Sequence, residues 1–327
     1  MQNRQQYVKI DEATSGKLTM KCGVPQGSTL GPLLFLLYIN DLPNCSTKLS
    51  FRIFADDTNA FYASKDVKDL EKVMNEEVKL LLRYCATNKL SVNLSKTNFM
   101  IISSRPNKHQ ISISNIKRKE YIKYLGIYLD STLKWTQQIT HIKNKVTKNI
   151  GIIRILRHYV NLKTLRQLYF NLIYPYLTYG LMSWGNTYKT SLVKLNTKNN
   201  KAIRSIFFAS SRESASPYFS FLNVLKLENI LKLHTALLTY KMINNKDQIP
   251  CIFHNYIKLA SDSHSYNTRF ASKQNIHKPK IRTNYGLHTF KYFAAKVWET
   301  IPIDVKNVKT PTAFKEKYTA FLLYHQS

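Results

Sequence analysis

The spacing of apolar residues changes at Asp130, and that change limits what this chain can fold into. Before it, short apolar runs alternate with turn residues and only one long helical pattern intervenes. After it, Ile139, Ile142, Val146, Ile150 and Ile153 recur at three and four residues, the period of a helix packed on one side. An α+β segment followed by a mostly helical one is therefore expected. The strands read as Gln6 to Ile10 and Lys17 to Cys22 around a turn at Thr14-Ser15-Gly16, then Phe99 to Ile102, Ile111 to Ile113 and Tyr124 to Leu129. Between them, a helical pattern places Leu30, Leu33, Leu34, Leu37 and Tyr38 on one face, with Pro32 tolerated in the first turn. Asp66 is expected to cap a long helix with Val67, Leu70, Val73, Val78, Leu81, Leu82 and Cys85 inward.

The later helices read as Leu162 to Tyr174, stopped by Pro175, then Leu192 to Phe207, then Leu225 to Ile243. In the last of these, Leu227, Ile230, Leu231, His234, Leu237 and Leu238 face inward, and His234 reads as a core-edge histidine. A looser stretch follows Pro250. Beyond it come a short face of Phe290, Phe293, Val297 and Trp298, and a final helix capped by Thr310 with Phe314, Tyr318, Phe321 and Leu322 inward. The expected division is 1–130, 131–246 and 247–327.

Charge narrows the function. Forty-nine Lys and Arg stand against 19 Asp and Glu, a net charge of +30, and no Asp or Glu occurs between Ser131 and Arg212 while 14 Lys and Arg do. Solvated helix faces normally mix signs, so an acid-free stretch of that length favours a polyanion, with nucleic acid first and an anionic membrane surface as the rival. The N-terminus lacks the apolar stretch of a signal peptide and no apolar run is long enough to span a bilayer. An intracellular, cytoplasmic or nuclear protein with no membrane partner is the expectation. Cys22, Cys45, Cys85 and Cys251 lack zinc-like spacing and read as reduced thiols.

Against that basic background, Phe54-Ala55-Asp56-Asp57-Thr58 sets two adjacent carboxylates between β-rich segments. Such a pair is either a solvated hairpin tip or a divalent-metal ligand for phosphoryl transfer. Gly23-Val24-Pro25-Gln26-Gly27-Ser28 before a helix is either a tight turn or a loop whose backbone N–H groups meet a nucleotide. Lys96, in Leu94-Ser95-Lys96-Thr97, is either a surface lysine or a phosphate contact.

The order of these motifs, with Tyr38-Ile39-Asn40-Asp41-Leu42 and Tyr124-Leu125-Gly126, resembles the reverse transcriptases of non-LTR retrotransposons, jockey-like elements above all. Tyr174-Pro175-Tyr176-Leu177-Thr178-Tyr179-Gly180, Trp184-Gly185 and Asn200 to Arg204 are similar to the thumb region of that family, and Arg282 through Pro302 to its tail. The resemblance implies a partial polymerase palm (an antiparallel sheet with packed helices), a basic helical thumb and a small C-terminal region. It implies RNA-directed DNA synthesis with an RNA template, a DNA primer and dNTPs, and two Mg²⁺ ions held through Asp56 and Asp57. Lys96 would protonate pyrophosphate; Pro25, Gln26 and Gly27 would meet the nucleotide and template. Tyr124, Leu125 and Gly126 would form the primer grip, and Lys143, Lys145, Lys148, Arg154 and Arg157 would follow the nucleic-acid backbone. Such polymerases carry a further carboxylate upstream of the Gly-Val-Pro-Gln-Gly loop, and the 22 residues before Gly23 match the segment after it. The expectation is a truncated frame, with fingers and first Asp motif missing and an incomplete metal site. It would be inactive unless they are supplied in trans, or act as a non-catalytic binder of RNA or RNA–DNA duplex.

Overall fold

The computed structural model describes residues 5–20, 23–24, 27–103, 110–262 and 268–326. They divide into two compact units, 1–99 with 108–119, and 100–107 with 120–327. The α+β expectation holds: short two-stranded pairings accompany long helices.

The first unit opens with β1 (Gln5–Gln6), β2 (Lys9–Ile10), β3 (Ala13–Thr14) and β4 (Leu18–Thr19), with β1 paired to β4 and β2 to β3. The turn expected at Thr14-Ser15-Gly16 falls instead at Asp11-Glu12, because Ile10 pairs with Ala13 and Asp11 takes a φ of 50°, a conformation Asp tolerates. Ser15 is tied to Val8 between the two pairings: its hydroxyl accepts from the Val8 N–H at 2.9 Å and its own N–H donates to the Val8 carbonyl at 2.8 Å.

Helix α1 (Gly31–Ile39) starts where the Ser28 hydroxyl accepts the Gly31 N–H at 3.0 Å. Its expected inward face is exposed: Leu33 is 54 % and Leu37 67 % accessible, while Gly31 and Ile39 are buried and Phe35 packs between them. The sequence of α1 is apolar all round, so periodicity selects no face, and the row at every fourth residue makes the contact. Strands β5 (Ser50–Phe54) and β6 (Asp57–Phe61) form an antiparallel hairpin. Phe51 of β5 joins Ile39, Leu42 and Leu49 in a small core, against which Met74, Leu81 and Tyr84 of α2 (Val67–Thr87) pack. Asp66 caps α2 as expected, its carboxylate accepting the Lys68 N–H at 3.1 Å, and Val73, Val78 and Cys85 are buried.

Two expected strands shrink. Phe99 to Ile102 is reduced to β7 (Asn98–Phe99), parallel to β8 (Lys117–Arg118), and Ile111 to Ile113 keeps a single bridge, Ile113 to Ile116. Side chains of α2 replace the ladder there. The Asn75 amide donates to the Ser112 carbonyl at 2.8 Å and its oxygen accepts the Ser114 N–H at 2.7 Å, while Glu71 accepts the Ser112 N–H at 2.8 Å.

In the second unit, what reads as one strand from Tyr124 to Leu129 is a hairpin of β9 (Tyr121–Tyr124) and β10 (Ile127–Asp130). Asp130 joins it to α3 (Thr136–Leu156): buried, it accepts the Lys134 and Thr136 N–H groups at 2.8 and 3.0 Å and the Thr132 hydroxyl at 3.0 Å. The five apolar residues expected to face inward on α3 are all buried. Then follow α4 (Leu162–Leu172), capped by Asn161, α5 (Tyr174–Thr178), α6 (Leu181–Trp184), α7 (Lys189–Ile206), α8 (Ser216–Phe221) and α9 (Leu227–Asn244). Pro175 sits in the first turn of α5 rather than ending α4 outright, where its missing N–H costs little. Helix α9 is buried around most of its circumference, so Leu233, Ala236 and Tyr240 join Leu227, Ile230 and Leu231 inside, and His234 is half-buried, with desolvation lowering its pKa.

The chain closes with α10 (Arg269–Ser272), α11 (Asn284–Leu287), α12 (Phe290–Glu299), α13 (Ile303–Lys306) and α14 (Pro311–Tyr324). The Thr310 hydroxyl caps α14 by accepting the Ala313 N–H at 3.2 Å, and Phe314, Tyr318 and Leu322 are buried. One continuous core runs from Ile139 to Leu322, with Trp184, Trp298 and Phe314 fully enclosed. Among the described residues, no helix is long and apolar enough to cross a membrane.

Lys306 is an outlier in that core. It is 4 % exposed, its ammonium donates to the Lys273 carbonyl at 3.0 Å and to Asn275 Oδ1 at 2.9 Å, and it lies 5.5 Å from the Trp298 ring centroid. Burial, aided by Lys273 and opposed by Glu299, lowers its pKa from 10.5 to about 8. Below pH 8 it is charged whether folded or not and the burial cost is carried in full. Between about 8 and 10.5 the unfolded chain holds more protons, so stability rises with pH; above that range the cost is gone. The expected contribution is at most about 1.4 kcal/mol per pH unit. Thermal melts across this range should show that rise in the wild type relative to Lys306→Met; parallel profiles would contradict it.

Candidate active site and nucleic-acid surface

The β5–β6 hairpin positions the acidic pair. Phe54 pairs with Asp57, so Ala55 and Asp56 form a two-residue turn and Asp57 is the first residue of β6. Phe51 points into the small core and Ile53 packs against it, which anchors the stem. Asp56 and Asp57 are both exposed, and among the described residues neither has an ion-pair partner. Their oxygens are hard donors free to meet a divalent cation, so the residues fit such an ion. Among the described residues, no group of three or more His, Cys, Asp or Glu is gathered to hold one.

Ala55 carries a φ of 50°, a left-handed conformation that costs a residue with a Cβ about 1–2 kcal/mol. Ala55→Gly is expected to raise stability by up to about 1 kcal/mol, because glycine adopts that φ without the clash. A denaturant midpoint that falls would contradict this reading of the turn.

Elsewhere in this unit, Gly23 and Gly27 have φ of 82° and 83°, with nothing within 4 Å of an added Cβ. Backbone conformation rather than crowding requires glycine there. Pro25 and Gln26 lie outside the described residues. Lys96 is exposed in a turn that Asn93 organises: the Lys96 N–H donates to the Asn93 carbonyl at 3.1 Å and to its side-chain oxygen at 3.2 Å.

The second unit holds the other expected site residues. Leu125 and Gly126, with φ of 44° and 83°, make the tight turn of the β9–β10 hairpin, as a two-residue loop with both central φ positive does. Tyr179, in the loop between α5 and α6, clamps it. The Tyr179 hydroxyl donates to the Leu125 carbonyl at 2.6 Å, and a Cβ on Gly126 would lie 3.2 Å from the Tyr179 ring. The Tyr179 carbonyl in turn accepts the Trp184 indole N–H at 2.9 Å, which ties the clamp to the core. Gly180 has a φ of 60°, and a Cβ there would lie 2.2 Å from Ile127 Cδ1. In the sequence, Tyr179 and Gly180 fall within the thumb-like motif, where a tyrosine beside a glycine before Trp184 is the only local signal of this clamp. Gly180→Ala is expected to destabilise the chain by about 1–3 kcal/mol through left-handed strain and displacement of Ile127. An unchanged melting temperature would contradict this.

The basic residues of α3 fall into two kinds. Lys145 and Lys148 are exposed and Lys143 is half-buried. Arg154 and Arg157 hold α7 instead: Arg154 Nε donates to the Ser205 hydroxyl at 3.3 Å, and Arg157 to the Ser205 carbonyl at 3.1 Å. Helix α7 adds exposed Lys194 and half-buried Lys198 and Lys201. His141, packed on Tyr128 at 5.1 Å, has a lowered pKa from desolvation and from Lys145 and Lys123, as expected on a surface of one sign.

Residues 2–129 match the family model of the reverse transcriptase (RNA-dependent DNA polymerase), so the chain carries a reverse transcriptase domain. That domain is homologous to the RNA-directed DNA polymerases of non-LTR retrotransposons. In Drosophila melanogaster, the probable RNA-directed DNA polymerase from transposon BS is 25 % identical over 251 residues, covering 72 % of this chain and 28 % of that protein. The probable enzyme from transposon X-element is 27 % identical over 217 residues, and that from mobile element jockey 25 % over 219, each covering 63 % of this chain and 24 % of the relative. The chain spans about a quarter of the length of these curated relatives. No solved structure matches it.

Proposed function

We propose that this chain is the metal-binding palm portion and basic helical portion of an RNA-directed DNA polymerase, acting on an RNA template, a DNA primer and dNTPs. The observation that carries the reading is the exposed Asp56-Asp57 pair at a hairpin tip within the matched domain, without an ion-pair partner among the described residues. Asp56 and Asp57 would hold Mg²⁺, which when bound activates the primer 3′-hydroxyl and stabilises the departing pyrophosphate. Gly27 would let backbone approach the nucleotide, Lys96 would deliver a proton to pyrophosphate, and the Tyr124-Leu125-Gly126 turn, held by Tyr179, would seat the primer end. Two adjacent carboxylates offer fewer ligands than two octahedral ions share, so the proposal includes a further carboxylate beyond Asp56 and Asp57.

The test is primer extension on an RNA template with Mg²⁺. The chain alone is expected to be inactive, and the chain supplied in trans with the upstream polymerase segment of a relative is expected to extend. Robust extension by the chain alone, abolished by Asp56→Ala, would refute the need for the added carboxylate. A second reading, a non-catalytic binder of RNA or RNA–DNA duplex, is favoured by the acid-free helices from Ser131 to Arg212. It predicts binding that is indifferent to Asp56→Ala.

A further inference from the structure

At the end of the helical unit where α3 and α7 finish together, exposed aromatic rings stand beside Arg157. Phe208 follows α7 and is 55 % exposed; Tyr159, in the turn after α3, is 81 % exposed. The Arg157 guanidinium lies 4.2 Å from the Phe208 ring centroid, and the His158 ring meets Phe208 edge-on at 5.1 Å. Phe221, 68 % exposed, extends the aromatic surface through Phe207 at 5.6 Å. Phe208 also takes a φ of 57° where the helix ends, the position glycine commonly fills. A bulky residue kept there costs stability twice, through backbone strain and through an apolar ring in water.

We infer that Phe208 and Tyr159 form a stacking platform for unpaired bases of single-stranded nucleic acid, with Arg157 bracing the Phe208 ring. Charge selects this occupant. The α3 and α7 segments carry no acid, and the next carboxylate along the chain, Glu213, is engaged by the Ser210 N–H at 2.6 Å and the Tyr218 hydroxyl at 2.7 Å. Aromatic faces interleaved with guanidinium groups accept any base and require none in particular. A flush duplex keeps its bases stacked internally and gains nothing from such a platform, so the site favours strand that is not yet paired or has already been released. The inference rests on the nucleic-acid reading above and assigns a second kind of contact, base stacking in addition to backbone attraction.

The experiment compares the 327-residue chain binding a labelled single-stranded oligonucleotide, as RNA and as DNA, with an abasic strand of equal length and with a blunt duplex. The wild type is expected to bind the base-bearing strand about tenfold tighter than the abasic one. Phe208→Gly, which relieves the left-handed φ and should melt no lower than the wild type, is expected to reduce that binding to the abasic level and leave duplex binding unchanged. Tyr159→Ala should act in the same direction. Equal affinity for the abasic and base-bearing strands, or single-strand binding untouched in Phe208→Gly, would overturn the platform while leaving backbone attraction intact. Failure to bind any nucleic acid would overturn both readings. Phe208-dependent capture of anionic vesicles with unaltered oligonucleotide binding would reassign the surface to a membrane.

Discussion

Asp56→Ala is expected to abolish primer extension in the complemented enzyme, by about a thousandfold or more, while leaving nucleic-acid affinity within about twofold. The size follows from what a hard cation does in nucleotidyl transfer: it supplies several kcal/mol of charge stabilisation at the reacting oxygens, and each 1.36 kcal/mol or so is tenfold in rate. The selectivity follows from position. Asp56 occupies an exposed two-residue turn with no ion-pair partner among the described residues, so truncating it breaks no packing. The Asp56→Ala chain should therefore melt like the wild type. Extension assays read beside melting curves check both halves; a variant that loses extension only because it unfolds would show a shifted melt. Ala55→Gly serves as control for the turn, since it alters the backbone of the tip and leaves both carboxylates.

The second large effect is on salt dependence. Binding of an RNA–DNA duplex is expected to weaken by about three orders of magnitude between low and near-physiological salt, as counterions displaced from phosphates are counted against bulk salt. Neutralising Lys143, Lys145 and Lys148 together should flatten the log–log slope by about one per phosphate contact removed. Lys145 and Lys148 are expected to dominate because they are exposed, whereas Lys143 is half-buried. Replacing Arg154 or Arg157 should behave differently: both hydrogen-bond Ser205 of α7, so their loss should lower the melting temperature. Titrations of duplex binding against salt, paired with melts, separate the two groups. A slope unchanged in the triple lysine variant would refute electrostatic tracking along α3.

Many of the helices were legible because their signals are local. The inward residues of α3, the Asp66 cap of α2 and the Thr310 cap of α14 depend on neighbours within a few positions, and each is where the periodicity or the cap residue put it. Failures occurred where a distant partner decides. The apolar run of α1 has no polar side, so nothing local could say that Gly31, Phe35 and Ile39 would make its contact and leave Leu33 and Leu37 in water. Ile111 to Ile113 looked like a strand because its side chains are apolar; Asn75 and Glu71, some 40 positions earlier, instead satisfy its backbone. Tyr124 to Leu129 read as one strand because Leu125, a residue that rarely takes positive φ, occupies the turn.

The same division separates the two parts of the candidate site. By itself, the sequence determined that two carboxylates would stand together at a hairpin tip, because alternation in Phe51 and Ile53 orients the stem and the stem delivers the tip. It also determined a long acid-free surface between Ser131 and Arg212, since composition needs no fold to be read. Only the tertiary structure decided that Arg154 and Arg157 on that surface are bound to α7. Only it disclosed that Tyr179 clamps the Leu125-Gly126 turn from 54 positions away. A hydrogen bond between residues so far apart depends on how intervening helices pack, and packing is a property of the whole core rather than of any window of sequence.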